Sequence, residues 1–265
     1  MYFQIIRMAI LANPQFSGTM CSMQKHRHHH KGLRIYRSRG HLILTIVVLL
    51  VILAAAAIAV GSRLNPLILL RDVGISCIRL FFAYILAVSL AWLCAVSFYE
   101  GKRSIIALPV FDVLQSFPTF ALLPLATLVF GHTTLTVILF LIITIIWPIF
   151  FSVISSLKLA RPDWREAVQI SGLRGWSYVR LYLWPVTVPG LITGSVIGLG
   201  EGWEALVATE MIVGVERGLG PFFNAFAHNP AVTALAIMGL LLLIFTINKI
   251  LWLPLLDWGH HTIEE

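Results

Sequence analysis

Residues 158–190 read KLARPDWREAVQISGLRGWSYVRLYLWPVTVPG, a polar, Arg-rich interval in a chain whose other long blocks are apolar. Asp163 followed three places later by Glu166 has capping-box spacing and predicts a helix starting there. Trp164, Ala167, Val168 and Ser171 fall at i, i+3, i+4 and i+7, an apolar or small face, with Arg165, Glu166 and Gln169 on the other side. Gly172 is placed to end that helix with φ > 0, and a second short helix is expected over 174–183. Pro185 and Pro189 would then punctuate the approach to the next apolar run. The expectation is a two-helix elbow over 158–189, outside the lipid between two hydrophobic spans. Membrane spans are usually joined by a few polar residues, so a structured amphipathic elbow predicts a docking surface for a soluble partner.

Outward from the elbow, composition sets the class. The 265 residues are 58% hydrophobic and 12% charged, against about 25% charged in an ordinary soluble domain. The apolar residues form long blocks rather than alternating, which marks an integral membrane protein. The net charge of +7 does not point to nucleic acid, because the basic residues flank hydrophobic runs, where they set topology. Cys21, Cys77 and Cys94 form no spacing motif, and two of them sit inside apolar runs as small hydrophobes, so neither a disulfide nor a metal site is expected.

Residues 1–40 carry Arg7, Lys25, Arg27, Lys31, Arg34, Arg37 and Arg39 around a His26-Arg27-His28-His29-His30 cluster. The plain reading is a solvated, partly disordered cytoplasmic tail; metal binding by the histidines is the alternative. No charged n-region or good cleavage site makes 1–12 a signal peptide. Apolar runs at 42–60, 74–98, 108–130, 134–157, 191–209 and 231–256 are then long enough to span, at about 20 residues each. Asn65, Pro66, Arg71 and Asp72 read as a loop, Glu100-Gly101-Lys102-Arg103 as a turn. The run at 108–130 carries Asp112, Gln115, Pro118 and Pro124 and is expected to be kinked or split. The fold class is therefore all-α integral membrane, with six spans over 41–257, an elbow between spans four and five, and a short tail at 258–265. Alternation puts the N-terminal tail, Lys102, Arg103, the elbow's Lys158, Arg161, Arg165, Arg174 and Arg180, and Lys249 on one side. Arg63, Arg71 and Arg217 fall on the other. That bias makes both termini and the elbow cytoplasmic.

Ionisable groups inside lipid are costly and therefore informative. Glu201 and Glu204 lie one helical turn apart on one face. Counted at ~1.5 Å per residue from the cytoplasmic end of its span, Glu204 falls towards the outer end. Arg79 lies ~7–8 Å from the outer end of a ~30 Å core, nearly the same depth. The expectation is an Arg79–Glu204 pair with Glu201 facing a pathway; the alternative places both carboxylates, hydrated, near the outer interface. Gly194, Gly198, Gly200 and Gly202 recur at small-residue spacing that suits close helix packing. Trp203 suits either a gate or an interfacial anchor. No phosphate loop ending in Lys-Ser or Lys-Thr is present, and His132 and His228 stand isolated, so nothing points to catalysis.

Three stretches carry a resemblance to a known family. Glu166-Ala167-Val168, Gly172 and Trp184-Pro185 resemble the EAA loop of ABC importer permeases, where E-A-A, three residues, G and nine residues precede I-x-L-P. Val168 stands here for the second Ala, Tyr182 for the apolar residue and Trp184 for Leu. Leu114 to Thr119, Ala121 to Leu125 and Phe130-Gly131 resemble the third-span signature of the nitrate/sulfonate/taurine group. Gly198 to Trp203, Leu206 to Met211 and Gly218-Leu219-Gly220 resemble that group's fifth span and the segment after it, with Gly202 and Thr209 each replacing Ala. The matches run in order over about residues 75–255. The resemblance implies a permease subunit in a cell membrane, not an enzyme, binding no cofactor or metal itself while a cytoplasmic ABC ATPase dimer uses ATP. It implies an extracytoplasmic solute-binding protein docking on 210–231, and a second permease copy in a homodimer, since two ATPases need two elbows. The substrate it implies is a small anion such as nitrate, a sulfonate or taurine. Arg165, Glu166, Ala167, Gln169 and Gly172 would couple to the ATPase, and Arg79, Glu201, Trp203, Glu204 and Glu210 would serve the translocation pathway. The alternative from another class is a proton-coupled secondary transporter using Glu201 and Glu204.

Overall fold

The computed structural model describes residues 66–252 and, ahead of them, residues 49, 50, 53, 56–58, 60 and 61. Every regular element among the described residues is helical. The helices are α1 (Pro66–Phe98), α2 (Gly101–Gln115), α3 (Leu123–Phe130), α4 (Thr134–Lys158), α5 (Pro162–Ile170), α6 (Gly175–Tyr178), α7 (Trp184–Val213), α8 (Leu219–Phe226) and α9 (Pro230–Ile247). A 3-10 turn at Thr119–Leu122 precedes α3, and π turns at Val179–Leu183 and Asn248–Trp252 follow α6 and α9. Four stretches are long and apolar enough to cross a membrane: Leu67–Phe98, Thr134–Lys158, Gly175–Val213 and Pro230–Ile250. A fifth exists if α2 and the Thr119–Phe130 segment, bent by 76°, form one broken span. The expected first span at 42–60 lies, apart from the few positions named above, outside the described residues, as do the tails at 1–40 and 258–265.

Proline accounts for most differences from the expected boundaries. The loop expected around residues 65–72 is helical, because α1 starts at Pro66, whose fixed φ suits a first helical residue. Its Arg71 and Asp72 form an exposed pair at 3.1 Å. The turn expected at 100–103 shrinks to Tyr99-Glu100, and Lys102 and Arg103 open α2. The split expected within 108–130 falls at Ser116-Phe117-Pro118, where the residue before Pro118 is pushed out of helical geometry. Pro185 and Pro189, expected as boundaries, are instead carried inside one continuous helical path. The π turn makes this possible: Trp184 N–H bonds the Val179 carbonyl, five residues back, just before the Pro185 ring interrupts the ordinary pattern.

Helix α4 is central, packed along α1 on one side and α7 on the other. Both neighbours meet it with small residues. Ala83, Ala87, Ala91 and Ala95 make a fully buried stripe along α1. On α7, a Cβ added at Gly190 would come 2.5 Å from the Ser152 carbonyl oxygen, and one at Gly194 would come 2.6 Å from the Ile149 Cα. Gly198 and Gly202 face Ile145. Gly200, expected in the same seam, points away and meets nothing within 4 Å. Between them α1 and α7, with the loop after α7, are joined by polar rungs. These are Ser76 and Arg79 to Glu210, Tyr84 to Ser195 at 2.8 Å, Trp92 to Thr187 at 3.0 Å, and, just beyond α1, Tyr99 to Tyr178 at the end of α6, at 2.7 Å. The pairing partner falls in number as the α1 residue rises, so the two helices run antiparallel. Cross-helix hydrogen bonds of this kind hold membrane helices in register at roughly 0.6 kcal/mol each.

Candidate functional site

Both stretches expected to be helical in the elbow are helical, but the second does not end at residue 183. Helix α5 starts two residues earlier than capping-box spacing predicts, because Pro162 takes the first helical position. No side chain caps it: Asp163 pairs instead with Arg161 at 3.2 Å, both exposed. Glu166 therefore completes no capping box; it is exposed and makes no hydrogen bond or ion pair among the described residues. Gly172 ends the turn with φ +61°, as expected, a conformation that costs glycine little. The second elbow helix is the start of the α6–α7 path, whose Tyr182 and Leu183 are buried.

The two faces of α5 also differ from the expected division. Trp164 and Val168 do pack inward, but Arg165 goes with them and Ala167 is exposed. Arg165 Nη2 donates to the Leu157 carbonyl at 2.7 Å, and Nη1 lies 3.6 Å from Glu100 Oε1. That carbonyl belongs to the last turn of α4, where oxygens lack intrahelical partners and a cation is favoured. Arg165 therefore holds the elbow against the bundle. The outward face carries Glu166, Ala167 and Gln169, flanked by Leu159, Ile170 and Trp176, which are 83%, 87% and 75% exposed.

The expected Arg79–Glu204 pair does not form. Arg79 Nη1 lies 2.6 Å from Glu210 Oε1, and Glu204 is exposed. Six residues separate the two glutamates, about 600° of helix, so they face different sides. Because α7 continues to Val213, Glu210 sits in its last turn and is fully buried. Ser76 Oγ donates to the same carboxylate at 2.9 Å and accepts from Leu219 N–H, while Gly220 N–H donates to Glu210 Oε2 at 3.0 Å. Arg79 also donates to the Arg217 carbonyl at 2.7 Å and to Thr134 Oγ1 at 3.2 Å. Four elements thus converge on one ion pair: α1, the start of α4, the end of α7 and the start of α8 with the residues just before it. Gly218 has φ +134°, and a Cβ there would come 2.6 Å from Glu210 Oε2.

A polar cleft of about 430 Å³ opens elsewhere, lined by Gln115, Thr119, Thr144, Trp147, Ser152 and Glu201 among others. The split after α2 places Gln115 and Thr119 against α4, and Glu201 reaches it from α7. Of the residues expected to serve a pathway, Glu201 alone lines this cleft. Trp203 is buried at 6% exposure, and Arg79 and Glu210 are engaged with each other. Sequence reasoning missed Ser76, three residues before Arg79 on the same helix face, and Trp147. A polar-tipped Trp beside Pro148 in mid-span was the available signal for the second.

Residues 83–253 match the model of the family described as binding-protein-dependent transport system inner membrane component. Over 133 residues the chain is 33% identical to the nitrate import permease protein NrtB of Synechocystis sp., covering 50% of this chain and 48% of that protein. It is 32% identical over 112 residues to the taurine transport system permease protein TauC of Escherichia coli, covering 42% and 40%. It is 26% identical over 122 residues to the bicarbonate transport system permease protein CmpB of Synechococcus elongatus, covering 46% and 44%. The matched segment spans about half the length of these curated relatives. The family match covers well over half of this multi-pass helical chain, which therefore belongs to the binding-protein-dependent transport inner membrane components, the non-enzymatic permeases of ABC transporters, related to the nitrate and taurine group.

Proposed function

We propose that this chain is the permease subunit of an ATP-driven importer, that two copies enclose the pathway for a small solute, and that α5 couples each copy to a cytoplasmic ATPase. The observation that carries this reading is the outward face of α5. A free carboxylate, Glu166, stands among exposed Leu159, Ile170 and Trp176 on a helix outside two membrane-capable stretches. Large apolar side chains left exposed beside a charged helix between spans fit a protein partner. The basic residues around α5 support a cytoplasmic setting for that surface, where an ATPase would be, and six alternating spans would bring both termini to the same side. Closure of two ATPases on ATP would then move α5 as a rigid body, and Arg165 would pass the push to the end of α4 and to the α1–α2 turn. A solute-binding protein would meet the opposite side, on the Gly214–Asn229 region that includes α8. The solutes named for the relatives, nitrate, taurine and bicarbonate, set the starting list.

The test is affinity capture from native membranes of the wild-type chain, of Glu166→Lys and of Gly172→Pro. An ATPase that co-purifies with wild type and is lost from variants that still insert supports the coupling surface. Capture without any ATPase, together with solute uptake that collapses with the proton gradient, would replace this reading with proton-coupled transport through Glu201 and Glu204.

A further inference from the structure

The polar cleft has a one-sided charge. Glu201 is the one ionisable side chain among the described residues that line it; no Lys, Arg or His does. Behind the wall stands a second carboxylate, because the Gln115 amide donates to Asp112 Oδ1 at 2.8 Å. The other polar groups are neutral. The Thr144 hydroxyl donates to the Phe140 carbonyl at 3.1 Å, and Thr119 and Ser152 add two more hydroxyls. Trp147 contributes an indole N–H whose nitrogen is buried with no acceptor. An unpaired buried donor costs free energy until something supplies an acceptor.

A bare inorganic anion would meet repulsion from Glu201, with no lining cation to offset it. A solute with an amine at one end and an acidic oxygen head at the other finds complementary groups for both. Its ammonium meets the Glu201 carboxylate in a charge-assisted hydrogen bond, and its oxygens accept from the Thr119 and Ser152 hydroxyls. We propose that this cleft binds small amine-bearing acids and that Glu201 is the residue that selects the amino group. This rests on the permease reading above, and it narrows the starting list by excluding solutes that lack an amine.

Equilibrium dialysis with the detergent-purified full chain tests this, using two matched probe pairs: taurine against ethanesulfonate, and β-alanine against propionate. Within each pair only the amino group differs. The wild type is expected to bind the amino member about tenfold or more tightly, the size of one charge-assisted hydrogen bond. Glu201→Gln is expected to abolish that preference. Glu201→Asp is expected to keep part of it. The proposal is overturned if wild type shows no preference, if it binds none of the four probes, or if the preference survives Glu201→Gln. Dialysis needs neither ATP nor an ATPase. Loss of the importer reading in the capture experiment and loss of the amine preference here are therefore separate results.

Discussion

Arg79 Nη1 and Glu210 Oε1 meet at 2.6 Å across 131 residues of chain, and both side chains are withdrawn from solvent. The pair does more than neutralise two charges. Its carboxylate also accepts from Ser76 and Gly220, and its guanidinium also donates to Thr134 and to the Arg217 carbonyl, so the turn leading to α8 is hung on α1. That turn and α8 form the region proposed to face a solute-binding protein, so the ion pair fixes the shape of a docking surface from within.

Removing one partner leaves the other buried and uncompensated. Arg79→Met and Glu210→Gln should each lower stability by about 3–5 kcal/mol. The double variant should lose less than the sum of the two, by about 0.5–3 kcal/mol. Unfolding in mixed detergent micelles measures all four species. Additive losses would mean that the contact carries no coupling.

The glycine seam between α7 and α4 makes a position-by-position prediction. Gly194→Ala forces a Cβ to within 2.6 Å of the Ile149 backbone and 2.9 Å of the Pro148 carbonyl, so the helices must separate. A loss of about 1–3 kcal/mol is expected. Gly200→Ala meets open space in mid-helix and should gain up to about 1 kcal/mol. Thermal midpoints of the two purified variants should move in opposite directions.

Tyr99 makes a pH prediction. Burial first, and then the hydrogen bond to Tyr178, raise its phenol above the ordinary value of 10.0. The folded chain then keeps a proton that the unfolded chain releases. The stabilising contribution is full below about pH 10, where tyrosine titrates in the unfolded chain, and is lost as pH rises beyond it. Tyr99→Phe should flatten the alkaline fall in the melting temperature without steepening it anywhere between pH 7 and pH 9. An unchanged alkaline slope would show that Tyr99 contributes nothing to it.

The parts of the fold legible in the sequence were those set by local pattern. The uninterrupted apolar run starting at Thr134 gave α4 to within a residue, and the positive φ of Gly172 followed from its place after an amphipathic turn. Proline misled at Pro185 and Pro189, because a π turn can accommodate what local rules read as a stop. The partner of Arg79 was not legible from depth alone. Depth fixes height along the helix but not azimuth, and at the right azimuth the outer end of α7 offered Glu210, not Glu204. The cleft depends on where the 76° bend puts Gln115 and Thr119, an angle that spacing does not encode.

Arg165 separates holding the elbow from presenting it. Its guanidinium bonds the Leu157 carbonyl at 2.7 Å and reaches a half-exposed Glu100 only at 3.6 Å. A charge-assisted hydrogen bond to an otherwise orphaned carbonyl contributes about 1.5–3 kcal/mol, whereas an exposed ion pair contributes roughly 0–1 kcal/mol. Glu100→Gln should therefore leave the elbow intact, while Arg165→Ala should free α5 from the end of α4. Amide hydrogen exchange over residues 158–172 should accelerate in Arg165→Ala, remain near wild type in Glu100→Gln, and remain near wild type in Glu166→Lys. If α5 couples an ATPase, Arg165→Ala should still bind it through the intact outward face and yet transmit ATP hydrolysis to transport poorly. Glu166→Lys should instead fail at binding. Equal loss of ATPase capture in both variants would mean that Arg165 is part of the docking face after all.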